Sequence, residues 1–130
     1  MPQRPALTGL KVLVVEDNYL IAEQLRRLLE RNGCAVVGPA AGVARGLELV
    51  GQSEDLDGAL LDINLRGVLC YPIAAELGAR RVPFVFLTGY GDSGIIPPDF
   101  AAVPRIGKPP DEDELLAAIE GAFARSRRHA

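Results

Sequence analysis

The sequence predicts an α/β domain built on a doubly wound, five-stranded parallel sheet with helices on both faces. Three observations predict it. Short apolar runs alternate with stretches in which apolar residues recur at helical spacing. The densest of these runs are continuous rather than alternating, as strands buried on both faces require. At 130 residues, 48% hydrophobic and 24% charged, the chain has the length and balance of one domain with a full core.

The elements follow in order. "LKVLVV" (Leu10–Val15) is the first strand, and Ile21, Leu25, Leu28 and Leu29 mark a helix that "NGC" ends. "CAVVG" is the second strand, followed by a helix carrying Val43, Leu47 and Val50. "DGALLD" is the third strand; Leu69, Ile73 and Leu77 mark the third helix, with Pro72 tolerable in its first turn. "PFVFLT" is the fourth strand. The next stretch, "GYGDSGIIPPDFAAVP", is rich in Gly and Pro and leaves room only for a short or irregular fourth helix, or a loop. "AVPRI" is a weak fifth strand whose Pro104 suggests an edge position. The final helix carries Leu115, Leu116, Ile119 and Phe123 and opens with "DEDE", acids suited to a positive helix N-terminus. The whole of 1–130 reads as a single domain, with a core at about 9–125 and tails at 1–8 and 126–130.

Composition excludes several classes of function. The net charge of −3 argues against a nucleic-acid partner, and the basic tail "ARSRRHA" reads as a solvated helix end. No apolar run approaches the ~18–20 residues of a membrane span. "MPQRPALTG" carries no signal core, so a cytoplasmic protein with no membrane partner is expected. Cys34 and Cys70 do not form a CxxC pair, and one His is too few for a usual zinc cluster. There is no P-loop and no GxGxxG, so no cofactor-binding residue is assigned. His129 lies in the tail, which argues against a Ser/His/Asp triad.

In doubly wound sheets ligands gather at the carboxyl ends of the strands. Those ends carry Glu16 and Asp17 after strand one, Asp62 after strand three, Thr88 after strand four and Lys108 after strand five. Each alone is weak evidence, because strands often end in polar residues. Together they put three carboxylates, a hydroxyl and an ammonium on one rim. Like charges about 4 Å apart repel by roughly 4 kcal/mol at an effective dielectric near 20. The acids therefore call for a cation, and hard oxygen ligands suit Mg²⁺. A metal and a lysine beside a carboxylate would stabilise an incoming phosphoryl group, with the carboxylate as nucleophile. That accounts for a charged residue, Asp62, at the end of a buried strand.

"VLVVEDN", "LLDINLRG", "FVFLTGYG" and "GKPP", in this order and spacing, resemble the receiver domain of bacterial two-component response regulators over nearly the whole chain, Lys11 to about Phe123. The resemblance implies a flavodoxin-like (βα)5 fold and phosphorylation of Asp62 by a histidine kinase or phosphotransfer protein. It implies Mg²⁺ held by Asp17 directly, by Glu16 through water, by Asp62, and by the backbone carbonyl at Asn64. Thr88 becomes the switch hydroxyl, and Lys108 the contact to a phosphoryl oxygen, with a cis bond to Pro109. Such a chain is a signalling phosphoacceptor that assists its own phosphorylation and dephosphorylation, not an enzyme. It acts on a downstream protein that the sequence does not identify.

A subgroup resembles it more closely: "PFVFLTGYG" with "LRGVLCYPIA" is similar to the alphaproteobacterial single-domain regulators called the FATGUY group. Leu87 stands where that motif has Ala. Cys70 stands where Ser is common, which predicts a lost helix cap of about 1 kcal/mol. Pro110 stands where Phe is common after Lys-Pro. Arg105 replaces the usual switch aromatic, so Tyr90, in a glycine-rich loop, is expected to carry the conformational change instead. Only a short tail follows the last helix, which suggests a stand-alone receiver. The alternatives are a pseudo-receiver that binds a partner without phosphorylation, and a flavodoxin-like enzyme, which would lack a phosphate-cradling loop. Oligomeric state is left open.

Overall fold

The computed structural model describes residues 4–89 and 96–124. Five parallel strands form the sheet: β1 (Lys11–Val15), β2 (Ala35–Ala40), β3 (Gly58–Asp62), β6 (Phe84–Thr88) and β7 (Arg105–Gly107), in the order β2-β1-β3-β6-β7. A two-residue hairpin, β4 (Asn64–Leu65) with β5 (Val68–Leu69), follows β3. The helices are α1 (Tyr19–Arg31), α2 (Val43–Gln52), α3 (Tyr71–Ala79) and α4 (Glu112–Ile119), the last continuing as a π-turn over Glu120–Ala124. This is the expected doubly wound α/β fold.

Alternation along the central strands builds two cores. Val12 and Val14 of β1, Leu60 of β3, and Val85 and Leu87 of β6 pack with Leu25, Leu29, Leu115, Ile119 and Phe123 on the α1 and α4 face. Leu13 and Val15, Ala59 and Leu61, and Phe84 and Phe86 pack with Leu49, Val50, Ile73 and Leu77 on the α2 and α3 face. A strand buried on both faces is apolar along its middle, and in β1, β3 and β6 the polar residues Lys11, Asp62 and Thr88 stand only at the strand ends, which is why these strands read so plainly. Gly58 opens β3 because a Cβ there would lie 2.4 Å from the Phe123 ring.

The connection from β1 runs outward to β2, and that from β2 returns across β1 to β3. The order therefore reverses between β1 and β3. In an open α/β sheet that reversal leaves a crevice above the carboxyl ends of the two strands.

Several sequence expectations change. Leu69 belongs to β5, not to the third helix, which starts at Tyr71. Its i, i+4 spacing to Ile73 matches a helix, but the chain first turns back through the hairpin. Leu7, counted in a tail, is fully buried at the end of a 3-10 turn over Pro5–Leu7. The second strand runs past Gly38 to Ala40, with a register shift against β1 at the Gly38–Pro39 step, tolerable on an edge strand. The fifth strand begins after Pro104, at the opposite edge. Among the described residues between β6 and β7 there is only a 3-10 turn, Pro98–Phe100, in keeping with the short or irregular fourth helix expected. Cys70 precedes α3 without a side-chain cap, as expected, but its backbone is helical (φ −76°, ψ −1°) rather than extended. Its thiol is buried in the core, so a Ser there would not sit in ordinary capping geometry.

Candidate functional site

Glu16 and Asp17 leave β1 at its carboxyl end, and the turn that follows is pinned. The Asn18 backbone N–H donates to Glu16 Oε2 at 3.0 Å, while Asn18 Oδ1 accepts from Ile21 N at 3.1 Å and caps α1. Asp62 ends β3, held by pairing with β6 through Leu87. Lys108 follows β7, its backbone N–H donating to the Thr88 carbonyl at 2.8 Å. The sheet thus brings these side chains together from residues far apart in sequence.

Lys108 Nζ lies 3.0 Å from Asp62 Oδ2, and 3.2 and 3.3 Å from the two oxygens of Glu16. The side chains of Glu16 and Asp62 are 0% and 1% exposed, and that of Asp17 is 17% exposed. One carboxylate oxygen from each of Glu16, Asp17 and Asp62 lies within 4.8 Å of the others. Three hard oxygen donors this close fit Mg²⁺, which takes carboxylates and keeps several waters. Their mutual repulsion is only partly relieved by the lysine.

The titration of the acids reflects that crowding. Burial, then the neighbouring Glu16 and Asp17 carboxyls, push Asp62 up to about 8 against the pull of Lys108. Burial alone would raise Asp17, but its contacts with Asp62 and Glu16 and the Lys108 charge leave it lowered. Lys108 loses some basicity to burial but is raised overall by Asp62 and Glu16. Burial, and then the charge of Asp62, also hold the Cys70 thiol at about 12, so this core thiol stays neutral.

Other expected residues are placed differently. The Thr88 hydroxyl donates to the Ile106 carbonyl at 3.5 Å, the long limit of a hydrogen bond. The Asn64 N–H donates to Asp62 Oδ1 at 3.3 Å, and its side-chain oxygen accepts from Gly67 N at 2.6 Å, closing the β4–β5 turn. Tyr90 lies outside the described residues. Arg105 is exposed and its guanidinium donates to the Ala101 carbonyl at 2.9 Å, so it fills no aromatic's place in the core.

Sequence reasoning missed Arg66, having counted Lys108 as the one fixed cation of the rim. The Arg66–Gly67 turn has φ of 55° and 90°, the positive pair of a type I′ hairpin turn. Gly67 takes that conformation freely, whereas Arg66 does so at a cost of about 1–2 kcal/mol. Arg66 Nε lies 3.4 Å from Asp17 Oδ2. The signal was present as the dipeptide Arg-Gly closely following Asp62, but its meaning depends on the turn.

This fold, with a basic residue among clustered acids at the switch point of the sheet, defines a class of signalling domain, and residues 12–120 match the response regulator receiver domain family. The chain belongs to that family. It is 30% identical over 125 residues to the cell cycle response regulator CtrA of Brucella abortus, covering 93% of this chain and 53% of that protein. The chain therefore spans about half the length of the curated relatives it matches. Among solved structures it is similar to SdrG from Sphingomonas melonis Fr1, at 38% identity and a TM-score of 0.75, over 89% of this chain and 96% of that one. It is also similar to a response regulator receiver domain protein from Clostridium thermocellum, at 25% identity and a TM-score of 0.82, over 93% of this chain and 99% of that one. Among the described residues no helix is long and apolar enough to cross a membrane.

Proposed function

We propose that this chain is a phosphoryl-accepting receiver in two-component signalling, acting in the cytoplasm, with Asp62 as the acceptor. The observation that carries the reading is Asp62 itself: a buried carboxylate at the end of β3, 3.0 Å from Lys108, with two further acids within reach of one cation. In the transfer, an Asp62 oxygen bonds to phosphorus as the bond from phosphorus to the donor's imidazole nitrogen breaks, and the electron pair leaves with the imidazole. The donor is a histidine kinase or phosphotransfer protein. Bound Mg²⁺, held by Glu16, Asp17 and Asp62 with the Asn64 carbonyl, would neutralise the phosphoryl oxygens and favour the ionised acceptor. Lys108 stays beside Asp62 as a point charge for the transferred group. Thr88 exchanges its long bond to Ile106 for one to a phosphoryl oxygen, which couples the acceptor to β6 and the residues that follow it, among them Tyr90, the proposed switch residue. The chain is a phosphoacceptor rather than a turnover enzyme, and its product is a surface for a downstream protein. The "PFVFLTGYG" sequence supports placing it with the FATGUY regulators.

Acetyl phosphate with Mg²⁺, followed by a phosphate-affinity gel, tests the reading. A shifted band that disappears in Asp62→Asn is expected. An unshifted native protein would favour the phosphorylation-independent interaction module instead.

A further inference from the structure

Arg66 goes against local preference twice. Its backbone holds a left-handed conformation at a turn position that Asn, Asp or Gly fills more easily. Its side chain is 83% exposed, free to extend into water, yet Nε rests 3.4 Å from Asp17. The hairpin fixes where the residue starts: Asn64 pairs with Leu69, Leu65 pairs with Val68, and the Asn64 side chain closes the turn onto Gly67. The tip is therefore held above the rim by its own backbone.

The contact is also selective. Asp62 Oδ2 is taken by Lys108 and Oδ1 by the Asn64 N–H, while Glu16 is shared between Lys108 and the Asn18 N–H. Asp17 is the most solvent-accessible of the three acids, the side from which a hydrated cation would arrive, and it is the acid that Arg66 meets.

We infer that Arg66 is a built-in competitor of the metal. Its guanidinium neutralises Asp17 when the acids lack a divalent cation, and repels the cation that binds there. It thereby sets the Mg²⁺ concentration at which Asp62 becomes competent. This rests on the phosphoacceptor reading above, and it gives that reading a regulator the carboxylates alone do not supply.

Calorimetric titration of Mg²⁺ into the native protein, Arg66→Gln, Arg66→Gly and Arg66→Lys, at low salt, decides it, with thermal melts to confirm folding. Arg66→Gln and Arg66→Gly should bind Mg²⁺ about threefold to tenfold more tightly, as loss of one screened charge near a divalent ion predicts. Arg66→Lys should stay near native, and the gain should shrink as salt rises. Arg66→Gly relaxes the turn while Arg66→Gln leaves it strained, so a gain in Arg66→Gly alone would assign the effect to the backbone and overturn the inference. Unchanged or weaker binding in Arg66→Gln would also overturn it, while native Mg²⁺ binding would leave the metal site standing. No Mg²⁺ binding to native protein, by calorimetry or by NMR shifts at residues 16, 17 and 62, would overturn both.

Discussion

Lys108 and Arg66 both bring a positive charge to the same group of carboxylates, from opposite surroundings. Lys108 is tied to β6 through its backbone, and its side chain, 17% exposed, bridges two acids that water barely reaches. Arg66 extends from a hairpin tip and is 83% exposed. A charge between buried partners is part of the fold, because removing it strands ions in a medium that solvates them poorly. A charge in water is screened and contributes little to stability, typically 0–1 kcal/mol. The pair teaches that one rim can hold a structural cation and a regulatory one, separated by burial alone.

The largest effect should come from the buried side. Lys108→Met is expected to lower stability by about 3 kcal/mol at pH 8 and clearly less at pH 5, where Asp62 protonates more readily. Lys108 itself stays charged across this range, because its folded value lies above its ordinary 10.5, so the difference between the two pH values comes from Asp62. Urea unfolding at the two pH values measures this. An equal loss at both would show that the lysine does not act by compensating buried acids. The same variant should fail to switch. In the proposed phosphorylated state Lys108 and Thr88 would each offer the phosphoryl group a charge-assisted bond of roughly 1.5–3 kcal/mol, and moving a two-state switch from 1:99 to 99:1 needs about 5.5 kcal/mol. An NMR difference between phosphorylated and free Lys108→Met as large as the native one would contradict that sum.

Removing the proposed acceptor, Asp62, sharpens the contrast with the opposite sign. Between pH 4 and 8 the unfolded chain has released the Asp62 proton that the folded chain, titrating at about 8, still holds. Folded protein therefore binds more protons in that window, and native stability falls as pH rises through it. Asp62→Asn should flatten this fall and raise stability by on the order of 1–2 kcal/mol at pH 8, with little change at pH 4. Melting temperatures across the range would show it, and parallel native and variant curves would refute it.

Next in size is the buried Cys70. A missing cap at α3 suggests that Cys70→Ser should stabilise. The structure gives the reverse sign, because residue 70 is buried and helical in backbone, and a hydroxyl there enters an apolar cluster. A loss of about 1 kcal/mol is expected in denaturant unfolding, within the usual range for burying a hydroxyl that lacks a new partner. A gain would restore the capping explanation.

What could be read from the sequence divides along the same line between buried and exposed. β1, β3 and β6 were legible because burial on both faces leaves no polar position in mid-strand to blur the pattern, and Glu16, Asp17, Asp62 and Lys108 came together because strand ends in a parallel sheet share one edge. The extent of β2 was obscured by Gly38 and Pro39, which punctuate a sequence but are tolerated at a sheet edge. The β4–β5 hairpin was invisible: two residues per strand carry no periodicity, and Leu69 fitted the helix that follows. Arg66 was lost with the hairpin, since nothing in "NLRG" says which way its side chain goes until both turn residues adopt positive φ. The Thr88 partner was illegible for another reason, because a hydroxyl's choice among acceptors is set by backbone spacing across β6 and β7.

The smallest effect belongs to the exposed cation. In Arg66→Gly, a residue strained at φ 55° gives way to one that is not, while the unfolded chain gains freedom and a screened ion pair disappears. Relief of about 1–2 kcal/mol of strain is opposed by roughly 0.5–1 kcal/mol of added unfolded-state entropy and 0–1 kcal/mol of lost pairing. The net change should lie within about 0.5 kcal/mol of zero, measured as the urea midpoint at unchanged slope. Such a result, beside the loss in Lys108→Met, would place the two cations at opposite ends of one scale. A loss above about 1.5 kcal/mol would instead make Arg66 a structural residue that holds the hairpin over the rim, and the division between a structural and a regulatory charge would collapse.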